Sequence, residues 1–228
     1  MPSELRYSRN IRALTVEESA SLRNKKVCVV GLGGLGGYVV EILARIGVCD
    51  ITAVDYDVFE ESNLNRQLFS TEPLLGSPKT DGARERIRQV NSAVRLNLVK
   101  EKLTGDNAAG IVRGHHCVVD ALDGIPARLV LETVCGEQGV PLVHGSIAGW
   151  FGQVANVFPG DGLLHRLYKN VREEKGVERE LGNLPFTAAA VASMQAAEVV
   201  KILCGRQVLR NALAQVDLLD WELEVICL

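Results

Sequence analysis

Apolar residues along this chain follow two alternating spacings. Residues 27–30 (Val-Cys-Val-Val), 51–54, 94–99, 117–121 and 154–158 are short runs rich in apolar and β-branched side chains, and residues 141–144 open one more. Such runs predict strands, the most continuous of them buried on both faces. Between them, residues 35–46, 79–90 and 126–137 repeat at helical spacing; Gly47 closes the first and Pro126 stands near the start of the last. Residues 187–203 read as an Ala-rich helix closed by Gly205, and residues 4–24 as one or two short polar helices. The chain finishes on two alternating segments, 213–218 and 222–226, which predict an antiparallel hairpin. Two stretches lack periodicity: polar residues 55–71, and residues 160–185, which read as a long surface crossover loop of the kind that usually carries function.

This alternation predicts a single α/β domain over residues 1–228, a Rossmann-like, mostly parallel twisted sheet with helices on both faces. Residues 1–25 form its N-terminal helical arm and residues 213–228 its C-terminal strands. Composition agrees. With 228 residues, 47% of them hydrophobic, the chain can build a sizeable core, which excludes disorder as its main state. A net charge of −3 supplies no basic field for non-specific nucleic-acid binding. Six cysteines without a C-x-x-C pair exclude a disulfide scaffold and imply reduced thiols. The charged start is unlike a secretory signal. Residues 27–48 are long enough to span a bilayer, but their glycines, Glu41 and Arg45 fit a strand followed by a buried helix. The expectation is a cytoplasmic protein with no membrane partner.

The chemistry starts at Gly31-Leu-Gly-Gly-Leu-Gly36, a G-x-G-x-x-G pattern directly after a predicted strand and opening a helix. Gly31 permits the tight turn, Gly33 lets a phosphate approach the backbone, and Gly36 brings the helix close to the sheet. The helix N-terminus then offers amides and a positive dipole end. Asp55, at the end of the second strand, is placed to bind a ribose. The loop alone says only nucleotide; a dinucleotide oxidoreductase fits it, and so does tight packing without a ligand. However, no His or Tyr-Lys arrangement at a strand end suggests hydride transfer.

Further residues change that reading. Asp57 is followed by Ser62-Asn63-Leu-Asn-Arg66-Gln67 and by Gly76-Ser-Pro-Lys79. Asp120-Ala-Leu-Asp123 ends the fourth strand, with Arg128 after it; the 187–203 helix carries Gln195, Glu198 and Lys201; and Arg6-Tyr-Ser-Arg9-Asn10 precedes everything. Carboxylates, arginines and a lysine around a phosphate loop suit a triphosphate with a metal ion. Together these motifs resemble the MoeB/ThiF/HesA superfamily, the adenylating domains related to ubiquitin-activating enzymes. The resemblance implies an adenylyltransferase that uses ATP and Mg²⁺ to activate the C-terminal glycine of a ubiquitin-like sulfur-carrier protein. Gly31, Gly33, Gly34, Gly36, Asp55, Asp57 and Gln67 would then form the ATP site. Asn63, Arg66 and Lys79 would grip the phosphates and Asp123 would hold Mg²⁺. Arg9 matches a family arginine that reaches into the partner subunit's site, which implies a homodimer.

The chain departs from that pattern in three places. Many relatives bind structural zinc through two C-x-x-C pairs; here the first position reads Leu164-His-Arg-Leu167 and Cys227 stands alone near the second, so no zinc is expected. Residues 160–185 contain no cysteine to accept the activated carrier, so a separate sulfur donor is expected, with Cys28, Cys117, Cys135 and Cys204 as core residues. Gly124 replaces the usual Asn after the metal-binding Asp. Residues 145–152 (GSIAGWFG) are expected to be a glycine-rich turn lining a channel for the carrier's tail, His144 a satisfied polar residue, and His115-His116 part of a loop. Within the same superfamily, a dehydratase that cyclises a carboxylated adenosine in tRNA shares the chemistry, although low basicity counts against it. A catalytically silent partner subunit is a further alternative.

Overall fold

The computed structural model describes residues 4–171 and 178–228. A 3-10 segment, Glu4–Asn10, leads into α1 (Val16–Leu22), β1 (Lys26–Val30), α2 (Gly36–Ile46) and β2 (Asp50–Val54). Then come α3 (Lys79–Val90), β3 (Arg95–Val99), α4 (Gly105–Val112), β4 (Cys117–Asp120), α5 (Ile125–Gln138), β5 (Leu142–Ala148) and β6 (Phe151–Val157). The chain continues through α6 (Leu163–Leu167), α7 (Glu178–Leu181), α8 (Pro185–Cys204), β7 (Ala212–Asp217) and β8 (Glu222–Cys227).

Local chemistry places the helix ends. Thr15 and Glu18 cap α1 reciprocally, the Glu18 amide donating to Thr15 Oγ1 at 3.1 Å and the Thr15 amide to Glu18 Oε2 at 2.7 Å. Gly47 ends α2 at φ +114°, the left-handed conformation that favours glycine. Proline stands in the first turn of α5 and of α8. The sequence pattern missed α4, whose Gly105 and Gly110 lower its intrinsic propensity. Its signal is a short one, a capping box formed by Thr104 and Asn107.

One sheet runs in the order β3-β2-β1-β4-β5-β6-β7-β8. The first five strands are parallel and the last three antiparallel. Alternate side chains feed two cores. Val27, Val29, Ile51, Cys117 and Val119 pack under α2, α3 and α8; Cys28, Val30, Val54, Val118 and Leu142 pack under α4, α5 and α6. Both faces are thus covered, which is why these strands read as unbroken apolar runs. The apolar stretch over 27–48 resolves into β1 and α2. Among the described residues α8 is long and apolar enough to cross a membrane, and it is packed in the core through Val191, Ala192, Ala196 and Val199.

Two expectations need correction. Residues 145–152 are not one turn: β5 runs on to Ala148, Gly149 and Trp150 make the turn, and β6 starts at Phe151. Gly145 is buried in that strand and a Cβ there would meet the Gln195 amide at 2.4 Å, so close packing selects the glycine. The crossover is not simply a surface loop either. It contains α6, whose Leu163 and Leu164 are fully buried against α5, and α7. The Glu132 carboxylate of α5 accepts the backbone amides of Leu164 (2.8 Å) and His165 (2.9 Å), which satisfies the first turn of α6. Residues 172–177 of the expected crossover lie outside the described residues.

Candidate active site

The strand register sets the site. Val30 lies level with Val54 on one side and Asp120 on the other. The chain therefore leaves β1, β2 and β4 side by side, at the point where the strand order turns back across β1. In open α/β sheets this is where ligands bind. A cleft of about 540 Å³ opens there, within the range of small-molecule sites.

Its floor is the glycine turn. Gly31 has φ +98°, and a Cβ there would stand 2.4 Å from the Ala121 carbonyl oxygen; a Cβ on Gly36 would stand 1.8 Å from the Gly31 oxygen. The turn therefore closes tightly against the end of β4. The α2 N-terminus has no side-chain cap among the described residues and opens directly from the glycine turn that lines the cleft, the arrangement of an anion site.

Around the floor the structure gathers Gly31, Gly33, Gly34, Asp55 and Asp57, together with Arg66, Gln67, Lys79 and Asp123. The Asp55 carboxylate accepts the Leu32 amide at 2.6 Å and the Asp57 amide at 2.8 Å. Burial pushes its pKa up, against the opposing pull of Lys79 and those two amides. Lys79 is buried, and its Nζ lies 3.0 Å from Asp57 Oδ2. The aliphatic stem of Arg66 lies 3.6 Å from where a Gly34 Cβ would be. Its Nη1 donates to the Ser62 carbonyl at 2.9 Å and to Asn65 Oδ1 at 2.8 Å. Gln67 is buried beside Gly33, and its Oε1 has no hydrogen-bond partner among the described residues. A buried orphan acceptor costs stability until a ligand or water satisfies it.

Three expected site residues do not line the cleft. Gly36 acts through packing, as above. Asn63 is buried in the loop: its Oδ1 accepts the Glu60 amide at 3.0 Å, and its carbonyl accepts the amides of Arg66 (3.1 Å) and Gln67 (2.9 Å). It shapes the loop that presents those two residues. Arg9 is exposed on the first 3-10 segment. That segment is anchored by buried Tyr7, whose hydroxyl accepts from Asn91 at 2.8 Å, and by Asn10, which donates to the Ile46 carbonyl at 3.1 Å. Both anchors sit by the far end of α2, about 16 Å along an 11-residue helix from the glycine turn.

Some residues lining the cleft escaped the sequence reading. Tyr56 and Lys102 line the cleft with Lys102 Nζ 5.7 Å from the ring centroid, and Leu103 and Val130 add apolar wall. Behind the wall, Asp120 and His144 are fully buried, with His144 Nδ1 at 2.7 Å from Asp120 Oδ2. The Tyr168 hydroxyl is 3.3 Å from His144 Nε2 and accepts from Arg128 Nη1 at 3.0 Å. His144 is thus a satisfied polar residue, as expected, and desolvation lowers its pKa despite Asp120. An acid ending an apolar strand was a visible signal for Asp120; nothing local pointed to Tyr168.

Cys28, Cys117 and Cys135 are buried and burial raises their thiol pKa values, that of Cys135 to about 12. Cys204 is only partly buried and Cys227 is exposed on β8. Among the described residues no group of three or more His, Cys, Asp or Glu is arranged to hold a metal. The leucines at the expected zinc position face the core, Leu164 fully buried and Leu167 partly so.

Known proteins share this architecture. The chain is 36% identical to the SAMP-activating enzyme E1 of Haloferax volcanii over 97% of its own length and 84% of that protein. It is 33% identical to the molybdopterin-synthase adenylyltransferase of Salmonella typhimurium over 87% and 82%. Among solved structures, Escherichia coli MccB with ATP superposes with a TM-score of 0.82 at 20% identity, covering 98% of this chain and 71% of that one. The Escherichia coli tRNA N6-threonylcarbamoyladenosine dehydratase with ATP gives 0.75 at 24%, covering 88% and 94%. The ThiF family model matches residues 7–228, and the chain belongs to the ThiF family.

Proposed function

We propose that this chain is a cytoplasmic, ATP-dependent adenylyltransferase that activates the C-terminal glycine carboxylate of a ubiquitin-like sulfur-carrier protein. The observation that carries this reading is the meeting of Arg66, Lys79 and Asp123 with the glycine turn in one cleft. A carboxylate oxygen of the carrier attacks the α-phosphorus of ATP, the bond from that phosphorus to the bridging oxygen breaks, and pyrophosphate leaves with the electron pair. Both reactants are anions, so the reaction needs fixed positive charge rather than an acid and a base. The α2 amides, Lys79 and the Arg66 fork supply it. Gln67 Oε1 offers an acceptor that a nucleotide hydroxyl can satisfy, and Asp55 another. Asp123 would hold Mg²⁺, which commonly binds through one or two carboxylates plus substrate phosphates and would stabilise charge on the leaving group.

The names of the two relatives support a protein carrier as substrate. Low basicity favours a carrier over tRNA. The cleft lining includes Ser146, Ile147 and Asn183; close to these in the chain, the Trp150 and Phe186 rings meet at a 45° tilt with centroids 4.7 Å apart. We assign this part of the cleft to the extended tail of the carrier. Arg9 is anchored too far along α2 to serve its own cleft, which supports a homodimer in which it acts in trans. Leucines in place of thiolates support a chain without zinc, and the lack of a cysteine in residues 160–185 supports a separate sulfur donor.

The test is ATP–pyrophosphate exchange run against a panel of small carrier proteins and against tRNA, with metal analysis of the same preparation. Exchange dependent on one carrier and on Mg²⁺, without zinc, is the expected result. Stimulation by tRNA alone would replace the carrier with an RNA substrate. Calorimetry showing no ATP binding would make the chain a silent partner subunit, and tight NADH binding unaffected by Arg66→Ala would make it an oxidoreductase.

A further inference from the structure

The turn that carries Asp123 is held from behind by a largely buried chain of hydrogen bonds. Asp120 Oδ1 accepts the Leu122 amide at 3.0 Å, and Arg128 Nη2 donates to the Leu122 carbonyl at 2.6 Å. Both backbone groups of the residue before Asp123 are thus fixed. Arg128 Nη1 donates to Tyr168 Oη, and the Tyr168 hydroxyl, which also interacts with the Ser146 side chain, lies within reach of His144 Nε2 for its proton. With Nε2 accepting that proton, Nδ1 of a neutral His144 donates to Asp120 Oδ2. Arg128 Nε lies 3.8 Å from the same Asp120 oxygen. Gln195 Nε2 adds a bond to the Asp120 carbonyl at 2.8 Å. Asp120 and His144 are fully buried and Arg128 is 8% exposed, while Tyr168 is half-buried at the outer end of the chain of bonds.

Tyr168 is the member that comes from elsewhere. It directly follows α6, which Glu132 and two buried leucines dock onto α5. The other members sit on β4, β5, α5 and α8. Its hydroxyl therefore joins the crossover segment to the turn that presents the metal-binding aspartate.

We propose that Tyr168, acting through His144 and Arg128, is a positioning residue that fixes the 121–124 turn so that Asp123 meets the metal of Mg·ATP. The inference rests on the adenylyltransferase reading. It ties the state of the crossover to metal binding: α6 must be docked for Asp123 to be aligned.

Tyr168→Phe removes the hydroxyl and keeps the ring. The experiment is calorimetry of ATP binding with and without Mg²⁺ for the native chain, Tyr168→Phe, Asp123→Asn and the double variant. Nitrogen NMR of the His144 ring in the nucleotide-free protein accompanies it. Tyr168→Phe is expected to weaken Mg·ATP binding about fivefold to tenfold, the scale of one lost hydrogen bond, and to leave metal-free ATP binding unchanged. The double variant is expected to match Asp123→Asn, because the two changes act through one group. The Nε2 resonance should move downfield to that of a nitrogen without a hydrogen bond. Equal weakening with and without Mg²⁺, full additivity, or an unmoved Nε2 would overturn the inference while the functional reading stands. A native chain that binds no Mg·ATP would overturn both.

Discussion

The two ends of the parallel strands carry similar residues arranged to opposite effect. At the N-terminal ends lies a second hollow of about 390 Å³ lined by Lys26, Asp50, Thr52, Arg95, Asn97 and His115. There most of the polar groups answer one another. Asp50 pairs with Arg95 and accepts from Asn97 at 3.0 Å; the His115 ring nitrogens meet Thr52 Oγ1 at 2.9 Å and the Val112 carbonyl at 3.0 Å. At the C-terminal ends Lys79 pairs with Asp57, but among the described residues the α2 amides have no side-chain cap and Gln67 Oε1 no partner. A charged hollow is therefore not evidence of a site. What distinguishes the C-terminal end is polar capacity left over beside an open cleft, where a ligand can satisfy it.

This contrast can be broken by mutation. The largest expected effect is on catalysis: Arg66→Ala and Asp123→Ala should each lower carrier-dependent pyrophosphate exchange by about 10²–10³-fold, some 3–4 kcal/mol of barrier. Near-normal exchange in either variant would remove that residue from the site. At the other end, Asp50→Ala should cost about 1–3 kcal/mol in denaturant unfolding and leave exchange intact; lost exchange there would erase the distinction between the ends. Gln67→Leu should move the two quantities apart, raising nucleotide-free stability by about 1 kcal/mol while weakening ATP binding about tenfold. A stability loss in that variant would mean Oε1 is satisfied in solution.

The smallest effect concerns paired charge away from both ends. Burial raises the Glu41 pKa, but Arg86 and Arg45 together bring it below the ordinary carboxylate value. Its contribution is therefore present above the unfolded pKa and lost as pH falls through the folded one. The stability advantage of the native chain over Glu41→Gln, about 1 kcal/mol near neutrality, should shrink below pH 4.5; a constant or growing gap would contradict the ion pairs.

Much of this was legible in the chain itself. Periodicity placed α3 at its observed bounds and β1, β2, α2 and α5 within a residue or so, because strands covered on both faces and amphipathic helices must repeat at their own spacing. The residues of the phosphate cleft were visible as types at loop ends. Position in a loop could not tell that Asn63 turns inward to shape the loop while Gln67, four residues later, lines the cleft. The leucines of α6 looked like surface because so short a helix shows less than two turns of pattern, and only docking on α5 buries them.

By itself the sequence determined the alternation of elements, the glycine turn and the charge types gathered for an anionic reaction, since each depends on neighbours a few residues apart. The tertiary structure decided which polar groups cancel and which remain. Tyr168 meets His144 across 24 residues and Arg128 across 40, and no local pattern encodes a distance that only packing closes.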